Sequence, residues 1–146
     1  MVQASSDQKY GVHAVSALVS IAEMLLKMGC TDQAQQTAMI AAKLLKQYPS
    51  SPNVPVNMHA EKQLRILKTQ VYICVESSDL EGAKRYLQSL SDLCETTGIG
   101  QPGFVQRYDT SCVRNVKLCI CGLKPTIMLL MQISSWTCSR KLWSLI

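Results

Sequence analysis

The chain is poor in aromatic residues and in the two residues that interrupt helices. Phe, Trp and Tyr together make up 5% of 146 residues, with only seven Gly and five Pro. A twisted β-barrel or sandwich draws on aromatic and turn residues, so this composition fits helices packed through Leu, Ala and Val instead. Acidic side chains stop at Asp109, while Arg114, Lys117, Lys124, Arg140 and Lys141 follow it. Residues 1–109 hold ten basic and ten acidic groups, so the net charge of +5 belongs entirely to residues 110–146. A changed C-terminal composition is not a basic domain, and nucleic acid is not expected as the partner.

Long apolar runs are also missing. The uncharged stretch Pro125 to Ser139 is 15 residues, short of the roughly 20 that a membrane span requires. The opening MVQASSDQKY is polar and lacks the apolar region of a secretory signal. Seven Cys is an odd number, and Cys30, Cys74 and Cys94 fall in or beside helical patterns, where a free thiol acts as a small hydrophobe. These features predict an intracellular protein, cytoplasmic or nuclear, with reduced thiols. Cys119 and Cys121, with distant Cys112 and Cys138, lack the paired spacing of a zinc site. No metal and no cofactor is expected.

What the chain does have is helical periodicity. Val12, Val15, Leu18, Val19, Ala22, Leu25 and Leu26 form one face of a helix from about Lys9 to Met28, closed by Gly29. Thr31 or Asp32 can cap a second helix, whose stripe is Ala34, Ala38, Ala41 and Leu45. Such small side chains let two helices approach closely as an antiparallel hairpin. Three prolines between Pro49 and Pro55 then force an extended connector. A third helix, about Met58 to Glu76, carries Leu64, Leu67, Val71 and Cys74. Asp79 is a good N-cap for a fourth with Ala83, Leu87, Leu90 and Cys94. After the breaker Thr97–Gly103, a fifth helix is expected over 104–120.

The hairpins repeat. Superimposing Ala34 on Ala83 aligns Gly29-Cys-Thr-Asp-Gln-Ala34 with Ser78-Asp-Leu-Glu-Gly-Ala83, a period of 49 residues (83 − 34). Each unit reads as a long helix, a tight turn and a second helix with Ala in its first turn. This pattern resembles the tetratricopeptide (TPR) repeats, in which the small residues would be Ala22, Ala34 and Ala41. The period exceeds the family's usual 34 residues, and the family's aromatic positions are largely unfilled. A helical hairpin of another kind, a bundle or a HEAT-like pair, is the alternative. The resemblance implies an all-α fold of antiparallel hairpins stacked as a short right-handed solenoid.

The expected organisation is an N-terminal tail 1–8 and a repeat domain 9–121, followed by an atypical basic tail 122–146 containing Cys and Trp. The repeat domain divides into hairpins 9–48 and 58–96 and a partial third unit 104–121. The tail reads in two ways: as an alternative or truncated end, such as a splice variant, or as a short helix over 126–133 packed on the helix before it.

No catalytic constellation stands out. His13 and His59 lack partners at metal-ligand spacing. Thr97-Gly-Ile-Gly-Gln-Pro-Gly103 lacks the Lys-Ser/Thr of a phosphate loop, and no His accompanies Cys112, Cys119 or Cys121. The chain is therefore expected to be no enzyme but a protein-interaction module, a subunit or scaffold of a larger complex. The repeat resemblance implies a concave groove lined by Arg65, Lys68, Thr69 and Tyr72, with Ser16, Val19, Ser20 and Glu23 at the matching positions of the first unit. Arg65 and Lys68 share a helix face that Tyr72 extends, which suits an acidic or amphipathic peptide. Some TPR proteins clamp a terminal carboxylate with a Lys–Asn pair; Lys68 matches the Lys, but Tyr72 stands where Asn is expected. The second class of function is association with a membrane or anionic surface through Trp136, Arg140, Lys141 and Trp143.

Overall fold

The computed structural model describes residues 2–47, 56–97 and 118–134, and every element among them is a helix. In chain order these are α1 (Val2–Lys27), α2 (Thr31–Gln47), α3 (Val56–Glu76), α4 (Leu80–Thr97) and α5 (Lys124–Ser134). A helical segment over 118–122 leads directly into α5. The fold is all-α, with α1 packed on α2, α3 on α4, and α3 on both helices of the first hairpin.

Both hairpins turn on the same hydrogen bonds. The Cys30 amide donates to the Leu25 carbonyl at 2.9 Å and the Gly29 amide to Leu26 at 3.1 Å. Forty-nine residues on, Asp79 donates to Cys74 at 2.8 Å and Ser78 to Val75 at 3.1 Å. Each pair is a Schellman motif, which satisfies the last carbonyls of a helix and needs one residue in the left-handed region. Gly29 fills that place at φ 83° and Ser78 at φ 60°. The residue after each becomes the next N-cap. Asp79 does so as the sequence predicts, its Oδ1 accepting the Gly82 amide at 3.0 Å. In the first hairpin the cap is Cys30, whose carbonyl accepts the Ala34 amide at 2.9 Å. Neither Thr31 nor Asp32 holds that position, because the turn uses only two residues.

The antiparallel sense follows from the clusters. Ala22, late in α1, packs with Ala34 and Ala38, early in α2. Val15 and Val19, a few turns back, pack with Ala41 and Leu45 near the end of α2. α3 then lies in the groove so formed, seating Ile66 in the second of these clusters and Ile73 in the first. Its opposite side contributes Leu64, Val71 and Cys74 to a core with Ala83, Leu87, Leu90 and Cys94 of α4. Burying an Ile or Leu side chain contributes about 1.5–3 kcal/mol, so both sides of α3 bind strongly.

Three boundaries differ from the sequence reading. α1 begins at Val2, so residues 2–8 are not a separate tail; no Pro or Gly stands before Gly11 to stop the helix extending backwards. α3 begins at Val56 instead of Met58. The described part of the expected tail is part of the domain: Leu123, Ile127 and Leu130 are fully buried among α3 and α4. The short helix expected over 126–133 is seen over Lys124–Ser134, where it packs on α3 and α4. Pro125 sits in its first turn, where the missing amide costs no helical hydrogen bond within α5. The connector, residues 104–117 of the fifth helix expected over 104–120, and residues 135–146 lie outside the described residues.

The matched turns supply a paired prediction. Ser78→Gly is expected to raise stability by about 1 kcal/mol, and Gly29→Ser to lower it by about 1 kcal/mol, since a left-handed residue with a Cβ is strained by roughly that amount. Urea unfolding of both variants beside the parent reads the two shifts, whose signs must be opposite.

Candidate functional site

Arg65, Lys68, Thr69 and Tyr72 occupy two turns of α3 on the side that faces α1 and the 118–122 segment. The fold brings all four together, but gives them different work. Arg65 donates to Glu23 Oε1 of α1 at 3.1 Å and reaches Ser20 Oγ at 3.5 Å. It ties the two units across their seam. Thr69 is only 2% exposed and donates its hydroxyl to the Arg65 carbonyl at 2.9 Å, so it forms the floor of the groove. Val19 is likewise buried, at 1% exposure, and lies in the hairpin core instead of the groove.

Tyr72 donates its hydroxyl to the Gly122 carbonyl at 2.7 Å, fastening the 118–122 segment to α3. Gly122 permits the approach, for a Cβ there would stand 2.9 Å from Lys68 Nζ and 3.5 Å from the Tyr72 hydroxyl. Burial raises the Tyr72 pKa, with Cys119 and Glu23 nearby adding to the effect. The phenol therefore stays a donor at neutral pH. Lys68 Nζ lies 5.7 Å from the centre of the Tyr72 ring, within cation–π range.

Two hollows flank Lys68. One, about 290 Å³, lies between α1 and α3 and is walled by Glu23, Leu26, Lys27, Lys68, Thr69 and Tyr72. The other, about 260 Å³, lies between α3 and the 118–122 segment and is walled by Glu61, Arg65, Lys68, Leu118 and Cys119. Lys68 stands between them with no ion pair among the described residues, whereas Arg65 is paired with Glu23 and Lys62 lies 3.9 Å from Glu61. Lys27 and Glu61 were legible as groove residues, each one turn from a named neighbour (Glu23 and Arg65), whereas Cys119 and Gly122 were not, because no spacing rule links them to α3.

A larger hollow, about 370 Å³, opens where α2, α3 and α4 meet, walled by Leu45, His59, Ile66, Gln70, Tyr86 and Leu93 among others. His59 is half-buried there with Nε2 3.4 Å from the Leu45 carbonyl, while His13 is exposed. This is the seam between hairpins, and Lys46 is the charged residue among those that wall it. Among the described residues no group of three His, Cys, Asp or Glu side chains is placed to hold a metal ion. No helix among them is long and apolar enough to cross a membrane.

The thiols sort by burial. Cys94 is 1% exposed, and desolvation pushes its thiol up to about 12. Cys74 and Cys119 are also raised, chiefly by burial, although Arg85 and Lys68 respectively oppose the shift. Cys121 is exposed. Alkylation of the folded chain at about pH 8, followed by peptide mass spectrometry, is expected to mark Cys121 at least about tenfold faster than Cys94, because the thiolate is the reactive form. Equal rates would mean that the α3–α4 core opens faster than the reagent acts.

Comparison with protein-family models, with curated proteins and with solved structures finds no match.

Proposed function

We propose that the chain is a non-enzymatic, TPR-like repeat module that holds a segment of a partner protein in the groove across α1, α3 and the 118–122 segment. It acts in this reading as a subunit or scaffold of a larger complex. The observation that carries the reading is Lys68, a cation standing between two hollows, with Arg65 on its own helix already paired with Glu23. A carboxylate of the partner gains a charge-assisted hydrogen bond there, and the flanking hollows take a side chain on either side. The groove is mixed in charge, with Lys27, Arg65 and Lys68 against Glu23 and Glu61, so it selects a spaced acidic pattern over a uniformly acidic run. The matching hydrogen bonds of the two turns, 49 residues apart, support the repeat assignment.

The alternative, attachment to an anionic surface, depends on Trp136, Arg140, Lys141 and Trp143, which lie outside the described residues. No observation in the folded part favours it.

Calorimetric titration with a panel of short extended peptides, acidic, neutral and basic, tests the groove. Acidic peptides are expected to bind best, and Lys68→Ala to weaken them by about tenfold or more, as loss of a buried charge partner does. Arg65→Ala is expected to reduce stability as well as binding, because it frees Glu23. Affinity that is indifferent to peptide charge and to Lys68 would sink the reading.

A further inference from the structure

The Lys68 ammonium is held from two sides, and one of them comes from a segment 54 residues away (122 − 68). Tyr72, one turn on along α3, lies beneath it, with the ring centre 5.7 Å from Nζ. Gly122 closes the other side. A Cβ built on Gly122 would stand 2.9 Å from Lys68 Nζ and 3.3 Å from its Cε. Both lie inside the roughly 3.5–4.0 Å of ordinary non-bonded contact. The lysine therefore rests against bare backbone, at a place where any side chain would displace it. The same glycine is tied to the same tyrosine, for its carbonyl accepts the Tyr72 hydroxyl at 2.7 Å.

The segment that carries Gly122 is fixed by packing. Leu123, next in the chain, is fully buried and Ile120, two residues back, is 4% exposed, both in the core with α3 and α4. Burial keeps the Tyr72 phenol protonated, so its bond to the segment persists at neutral pH. A lysine on an open helix surface samples many rotamers, and a partner that uses it must stop that motion. Lys68 has given up part of this freedom in advance. It is half-buried, its ammonium standing where the two hollows meet, whereas Lys27, the other lysine of the groove, is exposed.

We propose that Gly122 and Tyr72 are positioning residues for Lys68, holding its ammonium at the junction of the hollows so that the groove reads one carboxylate at a fixed point. This rests on the groove reading above and names what makes that groove selective. Neither residue has to meet the partner through a polar atom, since the Tyr72 hydroxyl is engaged by Gly122 and Gly122 has no side chain. They contribute the entropy that the lysine no longer has to lose on binding. A mobile lysine attracts any acidic segment through its charge alone. A lysine held in place favours a carboxylate that arrives at one distance from the side chains filling the hollows.

The test is Gly122→Ala in the full chain, because the segment is helical there and the group displaced is the free end of a flexible side chain. The fold is expected to stay, with a urea midpoint no lower than the parent's. Calorimetric titration with the acidic peptide that binds the parent best is expected to weaken about three- to tenfold, the range that holding one long side chain is worth. In a Lys68→Ala background the same substitution is expected to change nothing, an outcome that a merely structural role does not produce. In protein labelled with carbon-13 lysine, the Lys68 ε-carbon resonance, identified by its loss in Lys68→Ala, is expected to move in Gly122→Ala without any peptide. Tyr72→Phe, which removes only the hydroxyl, serves as the second variant should Gly122→Ala fold poorly by circular dichroism. The proposal is overturned if peptide binding depends on Lys68 while the variant binds as the parent does, or weakens binding equally with Lys68 absent. A Lys68 resonance that stays in place also overturns it. If no acidic peptide binds the parent, the groove reading itself falls, and this one with it.

Discussion

The structure depends on α3 being buried from two sides. Ile66 and Ile73 fill the groove between α1 and α2, while Leu64, Val71 and Cys74 join α4 and the C-terminal helix. A helix covered on one face needs one apolar stripe, and this one carries two, separated by the buried Thr69 and Gln70. Remove either stripe and one hairpin loses its neighbour, although each keeps its own turn. The remaining features hang from this helix: the Arg65–Glu23 strap, the Tyr72–Gly122 bond and the isolated Lys68 all lie along its third side.

How much of this was readable beforehand depended on the distance over which each interaction acts. The hairpin turns were legible, since Gly29 and Asp79 act on neighbours a few residues away. The alanine stripe of α2 was legible for the same reason, and all four of its predicted residues are buried. That Thr69 is almost fully buried was not legible, because helical spacing within α3 does not show how closely other helices approach. The short helix that was one of two readings for 126–133 begins a little earlier, because Pro125 is no obstacle in the first turn of a helix. The change in composition that set the tail apart at 122 does not reveal that Leu123, Ile127 and Leu130 enter the core of α3 and α4. In the groove, the sequence placed Lys68 and Tyr72 on one face but could not show that the Tyr72 hydroxyl is already engaged.

Charge and shape act at separate places on this molecule. The groove is polar, with Arg65 tied to Glu23 and Lys68 standing between its two hollows. The outer face of 118–134 is apolar with almost no charge. At the opposite edge Ile21, Met24 and Met28 of α1 are exposed as well, where no described element packs. The counterpart of Met24 one unit on is Ile73, which is buried, so the same register position is either core or surface according to whether a neighbour is present.

The two short turns also bear on how the chain reaches this state. Each hairpin closes over two or three residues, so its helices meet after a search of short range, on the timescale of microseconds. The seating of Ile66 and Ile73 between α1 and α2, and of Leu123, Ile127 and Leu130 on α3 and α4, joins segments remote in sequence. Folding in such a stack advances from one neighbour to the next, and fraying begins at the ends, where a helix has company on one side only.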